Sequence, residues 1–366
     1  MKRVLKRILL VLGILVGAIL LFAIGLITYL SITEYRPADV EEIEVRHQDG
    51  VEIESAFSGG SFRVLSWNVG YCALGEDSDF FMDGGKQVRP GSKDTVRSNM
   101  EGIRDTIASL ENAPDFCMLQ EVDEDSKRSF RQNELDFFTD SVVYPASAFA
   151  YNYKCKYVPY PWPPLGKVQS GLLTLSSREI VEAKRIALPC PFKWPVSIAN
   201  LKRCLLVTRI PIDGAGRDLV LVNLHLEAYD DGDGKIEQTK KLLNFLYEEY
   251  EKGNYVVAGG DWNQVFPGTE ETYPNTHRDL WTPGVLNEAD IAEGWQLVWD
   301  RTENGATCRL LNQPYDPADK EGTQYYVIDG FLISPNLELV SVDTVDEAGF
   351  VYSDHNPVLL ELRFAG

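Results

Sequence analysis

The stretch NYVVAGGDWN, residues 254–263, joins a short apolar run to a polar end. Two valines and an alanine indicate a buried strand. A pair of glycines follows, and then Asp261 and Asn263. Ligand sites lie at strand ends in open sheets, because loops converge there while the sheet holds them rigid. The stretch therefore predicts a sheet with a functional site at its edge.

Other apolar runs end in, or are interrupted by, polar residues in a similar way: Asn68 in RVLSWN, Glu121 in FCMLQE, His225 in LVNLHL, Asp329 in YYVIDGFLIS, and Asp354 with His355 before the run VLLELRF. Each residue alone has an ordinary explanation, such as a turn, a cap or a satisfied core histidine. Six such coincidences together are improbable. The set is also chemically coherent, because it consists of carboxylates, amides and two histidines.

Helical periodicity separates several of the strands. Residues 94–112 place apolar side chains on one face at helical spacing, and residues 237–253 are amphipathic. The sequence DGAGR, residues 213–217, lies between two apolar runs and predicts a hairpin. Strands outnumber helices, and the helices connect strands that do not form hairpins. We therefore expect an α+β or layered α/β domain with a mixed sheet, spanning residues 61–366.

The N-terminus has the pattern of a membrane anchor. Four basic residues within the first seven precede residues 8–30, which carry no charge. About 20 apolar residues suffice to cross a bilayer. Because the basic residues all precede the span, we expect residues 1–32 to form a cytoplasmic tip and a single-pass transmembrane helix, with the domain of residues 61–366 outside the cytoplasm. A cleaved signal peptide is the alternative, although its apolar region is usually shorter. Residues 33–60 are expected to be an acidic linker with no more than one strand.

The charge of the chain restricts its substrates. The net charge is −20, and the basic tip accounts for four positive charges, so the remainder carries −24. Such a surface repels phosphate backbones and offers no electrostatic basis for non-specific nucleic-acid binding. A small or membrane-embedded substrate is therefore favoured over long DNA.

The polar set favours one class of chemistry. Carboxylate and amide oxygens suit the hard cations Mg²⁺ and Mn²⁺. Zinc is less favoured, because the sequence has no cysteine and histidine cluster with ligand spacing. A carboxylate-bound cation neutralises phosphoryl oxygens, and a histidine oriented by a carboxylate serves as a general base or stabilises charge. The residues therefore indicate metal-dependent hydrolysis of a phosphoester.

Seven motifs make the chain resemble the endonuclease/exonuclease/phosphatase superfamily, which includes DNase I-like nucleases, inositol polyphosphate 5-phosphatases and neutral sphingomyelinases. They occur in the family's order between residues 62 and 363: LSWNVG, MLQEVD, SGLLTLSS, VNLHLEA, GGDWN, IDGFLIS and SDHNPV. The resemblance implies a four-layered α/β sandwich of two packed mixed sheets with flanking helices.

The resemblance also implies roles for the polar set. It suggests a metal site made of Glu121 as the principal carboxylate, with Asn68 beside it and Asp354 near the same ion. It suggests five catalytic residues: Asp261 to orient water or serve the leaving group, Asn263 to hold a phosphoryl oxygen, His355 bonded to Asp329, and His225 to hydrogen-bond the phosphate.

Two inserts bear on the substrate. Residues 151–171 combine aromatic residues, prolines and lysines, and either bind a phosphate head group or form a rigid surface loop. Residues 187–203 end in Arg203, which could reach the site.

The leading hypothesis is an exported, membrane-tethered, Mg²⁺-dependent phosphoesterase acting on a small or lipid-linked phosphoester. The alternatives are an extracellular DNase I-like nuclease and a catalytically silent binding module on the membrane. The oligomeric state stays open.

Overall fold

Two seven-stranded mixed sheets pack face to face, with helices on their outer sides. This arrangement confirms the predicted four-layered α/β sandwich. The computed structural model describes residues 2–48, 50–57, 60–89, 91–214, 216–230, 232–319, 321–346 and 349–365.

The described residues form four α-helices: α1 (Lys2–Ile32), α2 (Lys93–Ser109), α3 (Glu134–Ser141) and α4 (Asp233–Glu251). They also form eighteen strands: β1 (Val40–Glu42), β2 (Val45–His47), β3 (Ser61–Asn68), β4 (Phe116–Asp123), β5 (Ala146–Val158), β6 (Gly166–Ser176), β7 (Glu182–Ala187), β8 (Cys204–Pro211), β9 (Asp218–His225), β10 (Tyr255–Asp261), β11 (Gln264–Val265), β12 (Gly284–Val285), β13 (Gln296–Val298), β14 (Cys308–Arg309), β15 (Tyr325–Tyr326), β16 (Asp329–Ile333), β17 (Leu337–Thr344) and β18 (Val358–Phe364).

The first sheet has the spatial order β1-β7-β8-β9-β10-β16-β13, and the second has the order β17-β18-β3-β4-β6-β5-β2. Two short pairs, β11-β12 and β14-β15, lie outside them. The predicted hairpin across residues 213–217 is confirmed, because β8 and β9 pair antiparallel on either side of it.

Each large sheet contains one parallel pair joined by a helix. Helix α2 connects β3 to β4, and α4 connects β9 to β10. The hydroxyl of Ser92 accepts a hydrogen bond from the Thr95 amide at 3.0 Å, which caps α2 at its start. The helix buries an apolar stripe that includes Met100 and Ile103. Because a crossover helix returns the chain in the same direction, both strands of each pair end at the same edge.

Alternation along the strands divides the core into layers. Val257 faces the other sheet, whereas its neighbours Val256 and Ala258 face the outer layer that holds α4. The amide of Gln120 donates to Asn223 Oδ1 at 2.9 Å and ties the two sheets together between these apolar layers. Alternate side chains along each strand therefore pack either into the inner core between the sheets or into the outer cores beneath the helices.

Residues 33–60, expected to be a linker, contribute an edge strand to each sheet. Strand β1 pairs antiparallel with β7, and β2 pairs antiparallel with β5. Glu42 lies 3.5 Å from the ammonium of Lys184 on β7. The segment therefore forms backbone hydrogen bonds with strands that would otherwise be the unpaired edges of the two sheets. Its acidic composition does not predict this pairing.

Helix α1 is long and apolar enough to cross a membrane by length and composition. Most of its side chains are exposed, and Leu30 near its end is buried. A polypeptide that leaves so much apolar surface uncovered requires a partner or a lipid environment.

Gly260 is required by the close approach of two strands. Its φ of +148° lies outside the conformations that other residues favour, and an added Cβ would lie 1.9 Å from the Leu224 carbonyl oxygen on β9. The second glycine of GGDWN therefore allows β10 to lie against β9 immediately before Asp261.

We expect Gly260→Ala to lower the free energy of unfolding by more than about 2 kcal/mol, because the methyl group must displace backbone of β9. Denaturant titration of the full chain in detergent, followed by circular dichroism, would measure this. Gly91→Ala is the control, since a Cβ at Gly91 meets nothing within 4 Å. Equal stability of the two variants would contradict this account.

Candidate active site

The predicted polar residues converge on one cavity of about 580 Å³. Seven of the eight line it: Asn68, Glu121, His225, Asp261, Asn263, Asp354 and His355. The eighth, Asp329, is buried and bonded to His355. Residues separated by nearly three hundred positions in the sequence thus share one site.

Strand register accounts for part of this convergence. In the first sheet, Asp261 is paired with His225 on one side and with Asp329 on the other. Backbone pairing fixes these three residues in one row across the sheet. Asn68, at the end of β3 in the second sheet, joins the row from across the sandwich by donating to Asp261.

Asn68 holds two carboxylates together. Its Nδ2 donates to Asp261 Oδ2 at 3.0 Å and to Glu121 Oε1 at 3.3 Å, while its Oδ1 accepts from the Gly70 amide at 3.0 Å. In this arrangement Asn68 acts as a donor between acidic groups. Its role as a direct metal ligand stays a prediction.

Glu121 reaches the site from an irregular strand. It has a φ of +58°, and the pairing of β4 with β6 shifts register between Leu119 and Val122. Bulges of this kind re-aim a side chain beside an active site. A positive φ at a residue other than glycine costs about 1–3 kcal/mol and persists where the surrounding structure enforces it.

The two histidines have opposite electrostatic settings. Asp329 Oδ2 accepts from His355 Nδ1 at 2.8 Å, because a carboxylate only accepts. Burial disfavours the charged ring, yet the charge of Asp329 raises the pKa of His355 well above its usual range. Burial, with a smaller contribution from Arg203, lowers the pKa of His225 well below its usual range. The surroundings thus favour a proton on the ring of His355 and disfavour a second proton on the ring of His225.

The ring nitrogen of His355 that does not bond to Asp329 lies near two other carboxylates. Its Nε2 lies 3.9 Å from Asp261 Oδ2 and 3.9 Å from Asp354 Oδ2. His225 Nε2 lies 3.4 Å from Asp261 Oδ2. Each ring therefore presents a nitrogen toward the carboxylates that line the cavity.

The carboxylates of Asp261 and Asp354 have too little positive charge nearby to offset their burial and the repulsion from neighbouring carboxylates. Burial raises the pKa of Asp261 to about 7, and the charge of Asp329 adds to the increase. Burial also raises the pKa of Asp354 to about 6, with a contribution from Glu121. A bound divalent cation would offset both burial and mutual repulsion. Oxygen atoms dominate the donor set, so these residues fit Mg²⁺ or Mn²⁺.

Asn263 follows β10 and links this segment to the one that follows β9. Its backbone amide donates to Asp261 Oδ1 at 2.8 Å, and its Nδ2 donates to the Leu226 carbonyl at 2.9 Å. Its φ is +50°. The residue orients Asp261 here, and its predicted contact with a phosphoryl oxygen stays a prediction.

Sequence reasoning missed several residues of the cavity. Arg128 binds Asp123 at 2.9 Å, lies 3.6 Å above the Tyr71 ring and stands 3.9 Å from Glu121. The hydroxyl of Tyr229 donates to Asp83 at 3.0 Å. None of these residues ends an apolar run. Arg128 follows Glu121 by seven residues and Tyr229 directly follows VNLHLEA, whereas no local signal in the sequence marks Asp83.

Cys308 is a further unexpected neighbour. Its sulfur and ligand atoms of Asp354 and His355 lie within 4.8 Å of one another. Sequence spacing did not reveal this group, because β14 is brought to the site by tertiary folding. Burial raises the pKa of the Cys308 thiol to about 12, so the sulfur stays protonated and is a poor ligand for a hard cation.

Two of the three lysines of the first insert contact other residues, and the third, Lys156, is exposed. Strands β5 and β6 occupy most of residues 151–171, and only residues 159–165 connect them. Lys154 lies 4.1 Å from the Tyr151 ring centroid, and Lys167 binds Asp125. Among the residues that the structure describes, no lysine lines the cavity. Arg203, from the second insert, does line it and lies 3.7 Å from Glu227.

We expect Arg128→Leu to lower the free energy of unfolding by about 3–5 kcal/mol, because it leaves the Asp123 carboxylate buried without its cation. Arg131→Leu is the matched control. Arg131 pairs with Asp125 at the surface, so its loss should cost no more than about 1 kcal/mol. Denaturant titrations of both variants would measure the difference, and similar losses would contradict a buried ion pair at Arg128.

Three solved structures share the fold. An endonuclease/exonuclease/phosphatase from Beutenbergia cavernae DSM 12333 is 20% identical, with a TM-score of 0.54 over 84% of this chain and 72% of that chain. A family protein from Leptotrichia buccalis C-1013-b is 16% identical, with a TM-score of 0.51 over 83% and 100%. ANGEL2, a 2′,3′-cyclic phosphatase, is 14% identical, with a TM-score of 0.53 over 88% and 98%.

None of the curated proteins that were compared with the chain matches it. The model of the Endonuclease/Exonuclease/phosphatase family, however, matches residues 65–355. This range contains every one of the eight predicted site residues and most of the chain. The buried cluster of carboxylates and histidines lies at the strand ends of the same fold. The chain therefore belongs to the endonuclease/exonuclease/phosphatase family of phosphoesterases.

Proposed function

We propose that this protein is a divalent-metal-dependent phosphoester hydrolase, tethered to the cell membrane by α1 and acting outside the cytoplasm. Its substrate is a small or lipid-linked phosphoester. The observation that carries the proposal is the convergence of three carboxylates, two amides and two histidines on one cavity. A catalytically silent module would not need this set intact.

The proposed metal site consists of Glu121 and Asp354, with Asn68 beside them. A bound Mg²⁺ or Mn²⁺ would neutralise charge on the phosphoryl oxygens and lower the pKa of a bound water. Asp354 is buried and Glu121 is partly buried, and the partial exclusion of solvent strengthens their attraction for a cation.

The proposed chemistry divides between the histidines and Asp261. His355, held protonated by Asp329, donates a hydrogen bond to the phosphoryl group or the departing oxygen. The neutral His225 contacts the phosphate through Nε2. Asp261 orients the attacking water or serves the leaving group, and Asn263 fixes Asp261 while presenting its amide to the cavity. In-line displacement at phosphorus fits this division.

The charge of the chain supports the choice of substrate class. A net charge of −20 disfavours a long polyanion, and the cations among the described lining residues are two arginines besides the histidines. An extracellular nuclease remains the alternative, and it would be identified by hydrolysis of DNA or RNA in preference to small and lipid phosphoesters.

We expect the full chain to hydrolyse a generic phosphodiester or phosphomonoester only with Mg²⁺ or Mn²⁺, and to lose this activity in EDTA. Asp261→Asn and His355→Ala should each lower kcat/KM by about 100-fold or more, because each removes a group that acts on the reacting atoms. Unchanged circular dichroism would establish that both variants fold. Failure of the wild type on a panel of nucleic acids, inositol phosphates and phospholipids would contradict the proposal.

Metal binding can be tested without activity. Glu121→Gln should weaken Mn²⁺ binding at least about 100-fold, more than the loss of an outer-shell partner costs. Electron paramagnetic resonance of free Mn²⁺ would measure the affinity. Glu124→Gln is the control, since Glu124 bonds to Tyr151 and does not line the cavity. Equal affinities in the two variants would exclude Glu121 from the metal site.

Topology gives a separate expectation. Protease added to intact cells should remove residues 61–366, because the basic tip retains the N-terminus in the cytoplasm. Immunoblotting with tags at both ends would follow the cleavage. Protection of the domain until the cells are permeabilised would contradict an extracytoplasmic location.

A further inference from the structure

Helix α1 is docked to the catalytic domain at its end. Leu30 packs with Val158 and Ile198. Trp194 Nε1 donates to Ser31 Oγ at 3.2 Å, and Lys202 Nζ lies 2.9 Å from Glu34 Oε1. These contacts fix the direction in which the helix leaves the domain, so the domain has a defined orientation relative to any membrane that α1 crosses.

The length of the apolar segment locates the domain. Residues 8–30 extend roughly 35 Å at the helical rise, slightly more than the hydrocarbon core of about 30 Å. Charge returns at Glu34. With the basic tip on the opposite side, the last two turns of α1 lie at the bilayer surface, and the domain rests directly on it.

Two loops beside α1 expose aromatic side chains. Tyr160 and Trp162, between β5 and β6, are 71% and 87% exposed, and Trp194, between β7 and β8, is 64% exposed. Tyrosine and tryptophan are enriched at the membrane interface, where an apolar ring and a polar atom are both accommodated. The bond from Trp194 to Ser31 places one of these rings at the level where α1 leaves the bilayer.

The catalytic cavity extends to the same helix. Leu26, Ile27 and Leu30 of α1 line it, together with Phe81, Tyr160 and Val196. The candidate catalytic residues line the same cavity, so it combines a polar centre with an apolar wall formed by α1.

We infer that α1 forms part of the substrate site, which takes a phosphoester lipid whose apolar chain enters from the bilayer along Leu26 and Ile27. This inference rests on the proposed function. A water-soluble phosphoester would leave the apolar wall exposed to water, whereas a chain of methylene groups would cover it. The phosphate of such a lipid meets the carboxylates and histidines at the polar end.

The test compares substrates of different chain length. The full chain in dodecyl maltoside micelles is given p-nitrophenyl hexadecyl phosphate and p-nitrophenyl ethyl phosphate, which share the p-nitrophenol leaving group. Hexadecyl phosphate and ethyl phosphate, which release their own alcohols, are the monoester pair. The readout is the ratio of kcat/KM for the long chain to kcat/KM for the short chain. The wild type should favour the long chain.

Ile27→Trp should lower this ratio at least about ten-fold, because the indole displaces two or more methylene groups from the apolar wall. Ile24→Trp is the matched control, since Ile24 lies three residues earlier, is 61% exposed and does not line the cavity. It should keep the wild-type ratio. A ratio that Ile27→Trp leaves unchanged would overturn the inference and leave the hydrolase intact.

A second measurement does not require turnover. A hexadecyl phosphonate with a diazirine in its chain should label the wild-type peptide that contains residues 24–32, and unlabelled hexadecyl phosphonate should suppress the label. Labelling confined to other peptides would overturn the inference, even where Ile27→Trp fails to fold. If neither the long-chain nor the short-chain substrates were hydrolysed with any divalent metal, the proposed function itself would be refuted.

Discussion

The pairing of β10 with β9 and β16 is the constraint on which the site depends. It aligns Asp261 with His225 and Asp329 in one row, and the absence of a side chain at Gly260 permits the close approach that this row requires. Asn68 then links the row to the second sheet through Asp261 and Glu121. Backbone register thus positions Asp261, His225 and Asp329, whereas Asn263, Asp354 and His355 are held by segments outside the strands.

Electrostatics is the second consequence of that geometry. Acidic groups that share a buried cavity repel one another, and burial makes each charge more costly. The protein offsets part of this cost by pairing Arg128 with Asp123 and His355 with Asp329. The remaining imbalance at Asp261 and Asp354 favours a cation. A divalent cation bound there would allow a chain of net charge −20 to attract a phosphate locally.

Helix α1 is the third element of this arrangement. Most of its side chains are exposed, whereas its end packs against the domain. Because the candidate site residues and this docked end line the same cavity, packing at Leu30 and Trp194 sets the position of the cavity relative to any bilayer that α1 crosses. Substrate choice in such an arrangement depends on access as much as on recognition of a head group.

The sequence by itself determined the layered fold, the long apolar helix and the residues of the cluster. Strand periodicity and the run of uncharged residues are local patterns. GGDWN and SDHNPV gain their meaning from occurring together with the other motifs in the order of the family. Tertiary structure alone decided that Asn68 faces two carboxylates, that Arg128, Asp83 and Cys308 join the site, and that residues 33–60 add edge strands to both sheets. Tertiary structure alone also placed side chains of α1 in the lining of the cavity. These features depend on side-chain orientation and on contacts between distant segments, which no periodicity in the sequence encodes.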